Sequence, residues 1–332
     1  MGIRSINNPT SNFASSFVDT SPTVNAGLEG DTITGGNVEG LQPGNGYAYH
    51  TFTTPGDLII PTSQGPKTCE VLIVGGGGSG GSNAAGGGCG GGGAGALLYA
   101  PTITLTPGSY PIEVGDWTAM NPSQNQTGNP STAFGATADG GGYGGGGGGQ
   151  KGGYGGSGGG GCAGSPYGPG GYPVKNPAPT PYGTFTAYRN IGGPGTGPSS
   201  PRKGGTGGEA GDSGEEGDPT ARGGEGKQYP QFKGDLIGYP VMNILDGYFA
   251  GGGGGANNGY PPGNNSMLGG NGGGGIGACW ENGGDNSDPW IYGEPGFIHS
   301  GSGGGGGNMY PEVGGLAGGR GAGGIVCIRY SV

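Results

Sequence analysis

Apolar residues gather near the two ends of this chain and thin out between them. Positions 47–53 alternate apolar and polar residues, the pattern of a half-buried strand, and 58–60 follow after a turn at Pro55-Gly56. Positions 69–74 form an apolar run broken by Glu70 alone, and four successive residues, Val71, Leu72, Ile73 and Val74, predict a strand buried on both faces. Runs at 97–99, 103–105 and 110–114 continue the β signal, with a turn at Pro107-Gly108. A last apolar run covers 325–330. Neither it nor 71–74 can face water on both sides, so the two are expected side by side in one β-layer.

Between the apolar ends, glycine runs at 140–149, 251–255, 272–275 and 303–307 alternate with loops carrying Tyr, Pro, Asn and Trp. Such runs cannot hold an α-helix. They can adopt the extended threefold helix, with about three residues per turn and about 3.1 Å rise, which makes no internal hydrogen bonds. Ordering a residue costs about 1–2 kcal/mol of backbone entropy, and glycine loses the most. Only bonds from chain to chain can offset that. The expected fold is mostly irregular and β: short β-strands framing a bundle of polyglycine-II helices, with almost no α-helix. Four regions follow: an N-terminal attachment segment (1–40), a β-rich framing region (41–115), a glycine-rich polyglycine-II body with aromatic loops (116–324) and a closing β-strand (325–332).

Composition sharpens this picture. Of 332 residues, 98 are glycine and 28 proline, and only 30% are apolar, too few for a side-chain core of that size. The net charge is -10 with only 12 Lys and Arg, which argues against nucleic acid and anionic membrane surfaces as partners. No stretch approaches the ~20 apolar residues of a membrane-spanning helix. The first sixteen residues lack the apolar run of a signal peptide, and Ile6 stands where a myristoylation signal wants Ser or Thr. A soluble protein assembled in a cytoplasm is the expectation.

Candidate chemistry is sparse. Cys69, Cys89, Cys162, Cys279 and Cys327 are widely spaced, with no CxxC pair and only two histidines, so no metal site is expected. Free buried thiols are the first reading, and one bridge from Cys69 to Cys327 the alternative. Gly75-x-Gly77-x-x-Gly80 after a strand has the form of a dinucleotide fingerprint, but more glycine follows where the chemistry needs a helix. His50 and His299 have no triad or metal-pair spacing. No catalytic residues and no cofactor are expected, and the chain reads as non-enzymatic. Four Gly-x-y triplets at 208–219 suit an edge helix with glycine inward and Glu209, Asp212, Glu215, Glu216 and Asp218 outward as a solvated acidic face.

Five blocks in order carry a resemblance. They are Tyr47-Ala-Tyr-His50-Thr-Phe-Thr-Thr-Pro-Gly56 with Val71-Leu-Ile-Val-Gly75, then Pro107-Gly-Ser-Tyr-Pro-Ile-Glu-Val-Gly115, then Ser131-Thr-Ala-Phe134-Gly before 140–142, then Phe249-Ala-Gly, and finally Gly323-Gly-Ile-Val-Cys-Ile-Arg-Tyr330. Together they span about 46–330 and resemble the glycine-rich domain of tailed-bacteriophage structural proteins, notably of marine cyanophages. Cys327 departs from the aliphatic residue more usual there. The chain is more loosely similar to the distal-tip adhesins of long tail fibres in T-even-like phages. That likeness implies polyglycine-II helices with receptor-reading loops at one end.

The resemblance implies a virion appendage, a tail-fibre or spike protein acting as a host-receptor adhesin. Its partners would be other fibre or tail proteins, met through residues 1–40, and a bacterial surface protein or glycan, with a homotrimer as one possible assembly. The alternatives are a purely structural virion part (capsid decoration or fibre connector) and, third, an ice-binding or secreted matrix protein. For receptor contact the aromatic inserts stand out: Tyr167, Tyr172, Tyr182, Phe185 and Tyr188, then Tyr229, Phe232 and Tyr239, then Trp280, Trp290, Tyr292 and Phe297. Large rings give contact area at small entropic cost. Tyr182, Tyr188, Trp280, Trp290 and Tyr292 are the candidate receptor-binding residues; the competing reading is that each ring caps the glycine bundle as a hydrophobic lid.

Overall fold

The computed structural model describes residues 31–82, 87–118, 125–174, 179–197, 202–217, 222–258, 268–278, 292–310, 314–315 and 317–332. Ten strands make two antiparallel sheets. In chain order they are β1 (Val38–Leu41), β2 (Tyr47–Phe52), β3 (Gly56–Ile60), β4 (Lys67–Val74), β5 (Leu97–Leu105), β6 (Gly108–Glu113), β7 (Ser131–Ala133), β8 (Ala136–Ala138), β9 (Thr186–Tyr188) and β10 (Ile325–Ser331). The larger sheet runs β1-β2-β10-β4-β5-β9 and the smaller β3-β6-β7-β8. The longest helix among the described residues is the six-residue 3-10 turn Pro240–Leu245.

The sheets face each other as a sandwich. Phe52, Val71, Ile73, Leu98, Ile103, Val326 and Ile328 from one meet Leu58, Ile60, Tyr110, Ile112 and Ala136 from the other. In β3 the alternation is direct: Leu58 and Ile60 are buried and Ile59 faces out. The second face of the larger sheet is covered as well. Tyr49, Leu72, Val74, Leu97, Ile325 and Cys327 pack under Tyr229, Phe232, Ile237, Met242 and Phe249. The apolar run of β4 is thus buried on both faces, as its sequence requires.

The expected neighbours of the closing strand are confirmed, with Ile325 opposite Val74 and Ile328 opposite Val71. That same register separates the two cysteines of the alternative bridge. Cys69 pairs with Tyr330 and Cys327 with Leu72, and the two thiols lie on opposite faces of the sheet, both free.

The glycine body grows out of the sheet. Val74 is opposite Leu97, and beyond it Gly75 bonds Ala96, Gly78 bonds Gly93 and Gly81 bonds Gly90, in unbroken register but with one bond every third residue. On the other side Ile325 faces Val74, and Gly77 then bonds Ala322 and Gly80 bonds Gly319. Residues 76 and 79 donate to Asn129 and Gln126 on a third neighbour. This threefold rotation of donors is the signature of a polyglycine-II helix, which must send its amides outward because it has no bonds of its own.

The helix 88–96 is enclosed on all sides. Its amides donate to 301–307, to 139–145 and to 205–208, while its carbonyls accept from 157–163, from 253–256 and from 75–81. Both parallel and antiparallel neighbours occur. Glycine is required by proximity here: a side chain on Gly92 would run into the Gly78 carbonyl. Where this helix does carry methyl groups, Ala94 and Ala96 point into the two cores flanking the larger sheet.

The body and the framing strands interleave along the chain more than the sequence regions suggested. Glycine helices already begin at Gly75, and β7, β8 and β9 fall within 116–324. The described part of residues 1–40 packs onto the sandwich, where Ile33 is buried and Thr34 pairs with Ile59.

The triplets at 208–219 turn their glycines inward. Gly208, Gly211, Gly214 and Gly217 all donate to neighbouring carbonyls, and Asp212, Glu215 and Glu216 face solvent. Glu209 departs from the expected acidic face and is fully buried. The backbone bends at 210–212, and the Glu209 carboxylate turns back to accept the Gly252 amide at 2.7 Å. Asp218 lies outside the described residues.

Candidate binding surface

A lattice of threefold helices exposes side chains to solvent at its margins, and there the period of three decides which ones. In 166–172 the amides of Gly168 and Gly171 donate inward to Cys162 and Gly159, leaving Pro166, Pro169 and Tyr172 exposed. The parallel neighbour, 151–155, bonds to it through Gly152 to Pro169 and Gly155 to Tyr172, and exposes Lys151 and Tyr154. Exposed positions on each helix are therefore spaced about 9 Å along the axis, three rises of the helix.

These two lines of side chains form a face. The rings of Tyr154 and Tyr172 stack with centroids 6.1 Å apart and planes at 28°, and both are more than half exposed. The Lys151 ammonium sits 4.8 Å from the Tyr154 ring centre, a cation–π contact. Tyr167 is 53% exposed on an adjacent line of the same outer helix. Flat rings with free hydroxyls beside a fixed cation can stack on a sugar or anchor a protein interface. The backbone beneath is held by the lattice, so little order remains to be imposed on binding.

A second exposed feature lies at the 3-10 turn. Val241 and Ile244 project from it, and a recess of about 320 Å³ lies between Ile244, Leu245, Asp246, Tyr248 and residues 270–273. Lys233 pairs with Asp246 at its side.

The sequence candidates fall in different places. Tyr182 packs edge-on against Tyr110 at 5.5 Å and Phe134 at 6.4 Å, as a lid on the sandwich core. Tyr188, in β9, packs against the second core, with the Lys227 ammonium 5.0 Å from its ring centre. Tyr292 is 48% exposed. Trp280 and Trp290 lie outside the described residues. Phe185, Tyr229 and Phe232 are buried. Tyr154 escaped the sequence reading because it is a single ring within a glycine run. The period-three exposure of 151 and 154 is the signal that would have found it.

The remaining motifs are absorbed by the fold. The amides from Gly75 to Gly81 all donate to carbonyls or chain neighbours in the lattice, so none is free to cradle a pyrophosphate. His50 is buried; Nδ1 lies 2.7 Å from the Gly35 carbonyl and Nε2 3.3 Å from the Tyr330 hydroxyl. Burial lowers its pKa, opposed by the Gly35 carbonyl and by Glu39. His299 lies between Trp117 and Tyr239, and burial lowers its pKa too. Among the described residues no three His, Cys, Asp or Glu are grouped to hold a metal ion. No described helix is long and apolar enough to cross a membrane.

A β-sandwich whose strands run on into a hydrogen-bonded polyglycine-II lattice defines a glycine-rich structural class. The family model of the glycine-rich domain matches residues 52–331, and the chain belongs to that family. No curated protein is similar enough to count as a relative.

Proposed function

We propose that this chain is a virion appendage protein of a tailed bacteriophage, a tail-fibre or spike component that contacts the host surface. Membership of the glycine-rich family and the ordered blocks from Tyr47 to Tyr330 support that reading. The observation that carries the adhesin role is the exposed pair Tyr154 and Tyr172, fixed on a backbone lattice beside the Lys151 ammonium. Bare backbone provides little variety for recognition; side chains on a rigid support provide it.

In this reading the receptor is a protein or glycan of the bacterial surface. Tyr292, Trp280 and Trp290 supply further receptor contacts, and residues 1–40 join the chain to neighbouring virion proteins. The protein resides in the virion after assembly in the host cytoplasm. Purified chain should bind host cells and slow adsorption of whole particles in proportion to its concentration. Particles that carry the chain, yet adsorb unhindered by an excess of it, would instead identify a decoration or connector protein.

A further inference from the structure

Cys89 and Cys162 occupy facing positions on adjacent antiparallel glycine helices. The bonds from Ser157 to Ala94, Gly160 to Gly91 and Ala163 to Gly88 set the register of the two chains. In that register Cys89 stands directly opposite Cys162. Both are fully buried, and both are free thiols. Hydrogen-bonded neighbouring chains run about 5 Å apart, within the ~4.4–6.8 Å between Cα atoms that a disulfide spans. The other described cysteines offer no such pairing, since Cys69 and Cys327 lie on opposite faces of a sheet.

The surroundings divide the work between the two sulfurs. Contact with Cys162 is the largest influence raising the Cys89 thiol, and contact with Cys89 is the largest influence lowering Cys162. Backbone amides of Gly149 and Gln150 also favour the Cys162 thiolate, against the effect of burial. Those two residues belong to the turn after 146, whose Gly148 and Gln150 are exposed, so one short turn separates Cys162 from solvent.

We infer that Cys89 and Cys162 are an oxidisable dithiol that closes into a disulfide, fastening the central glycine helix to its neighbour. With a peroxide as oxidant, the Cys162 thiolate attacks one peroxide oxygen, forming a sulfenic acid and releasing hydroxide. The Cys89 sulfur then attacks the Cys162 sulfur and expels the hydroxyl, its own proton leaving with it as water. For hydrogen peroxide, two thiols and one peroxide give one disulfide and two waters. Thiols stay reduced in a cytosol and pair in oxidising surroundings, so the bridge would close after the chain leaves the cell that made it. The inference rests on the register and surroundings of the two thiols and is independent of the proposed function.

The test uses the purified full chain treated with hydrogen peroxide. The expected result is an intact mass lower by two hydrogens and a non-reduced digest containing Cys89 joined to Cys162. Alkylation after denaturation should lose two labels that return on reduction, and Tm should rise. Cys89→Ala and Cys162→Ala should each abolish the joined peptide and the rise in Tm. If either variant fails to fold, the alkylation of the unaltered chain still decides. Retention of both labels, or conversion of Cys162 to sulfinic acid without a joined peptide, would overturn the inference.

Discussion

Gly78 donates its amide to the Gly93 carbonyl at 2.9 Å, in the register set where Val74 pairs with Leu97 in the sheet. The sandwich thus works as the template of the glycine lattice. Strands β4, β5 and β10 fix which residues stand opposite one another, and their glycine extensions keep that alignment while turning from period two to period three.

Close approach in the lattice makes substitution at its centre costly. Gly92→Ala places a methyl group against the Gly78 carbonyl, whereas at Gly197 nothing lies within 4 Å of an added one. Gly92→Ala should destabilise by about 1–3 kcal/mol or more, as overpacked sites do. Gly197→Ala should be neutral or slightly stabilising, because it restricts the unfolded chain. Denaturant titrations of the two variants check this; equal midpoints would contradict it.

The closing strand is interior to its sheet, between β2 and β4, and Arg329 is held by Glu70 through Nε and Nη2, each at 2.6 Å. Glu70 also accepts from Tyr99 and Gln231. Removing residues 325–332 should therefore open the sheet, strand the Glu70 charge and expose two edges prone to association. Sedimentation should show aggregates and circular dichroism a loss of β signal. A soluble truncated chain with an unchanged spectrum would contradict the topology.

The strand framework was legible from residues because side-chain burial drives it. Val71 to Val74 announced a strand covered on both faces, and the run at 325–330 announced its partner. The lattice class followed from glycine's need for backbone partners. Its details did not, since glycine runs carry no side-chain pattern to fix register; the strands supply it. Glu209 was misread as solvent-facing because the triplet period continues through a bend that composition does not reveal. In sequence Tyr182 reads as a receptor contact although it is a lid, and Tyr154 does not stand out although it is exposed, for a similar reason: the surroundings of each ring depend on long-range register.

Glu209 gives a pH-dependent prediction. Among the described residues no basic group offsets the Glu209 carboxylate: Oε2 accepts from Gly252, Oε1 is buried without a partner, and the charged groups acting on it are Asp212, Glu225 and Glu215. Burial, chiefly, raises its pKa well above the ordinary 4.5. The folded state therefore holds this proton more tightly than the unfolded chain, and folding loses stability as pH rises above about 4.5 toward the raised value. Glu209→Gln should raise stability at pH 7 by about 1–3 kcal/mol, the cost of an unmet buried polar group, and its advantage should shrink toward pH 4. Thermal melts of both proteins across that range measure it. A difference independent of pH would mean that Glu209 is not buried as a strained acid.

Adsorption by a chain altered only at its ring face tests the central claim most directly. Tyr154→Ser, Tyr167→Ser and Tyr172→Ser are combined in one protein, and its binding to host cells is compared with that of the unaltered chain. All three rings are more than half exposed and belong to no described core, so Tm should be unchanged. The expected result is a fall in cell binding of tenfold or more, as roughly 1.4 kcal/mol of lost contact gives. Undiminished binding with an unchanged Tm would contradict the assignment of this face to host recognition.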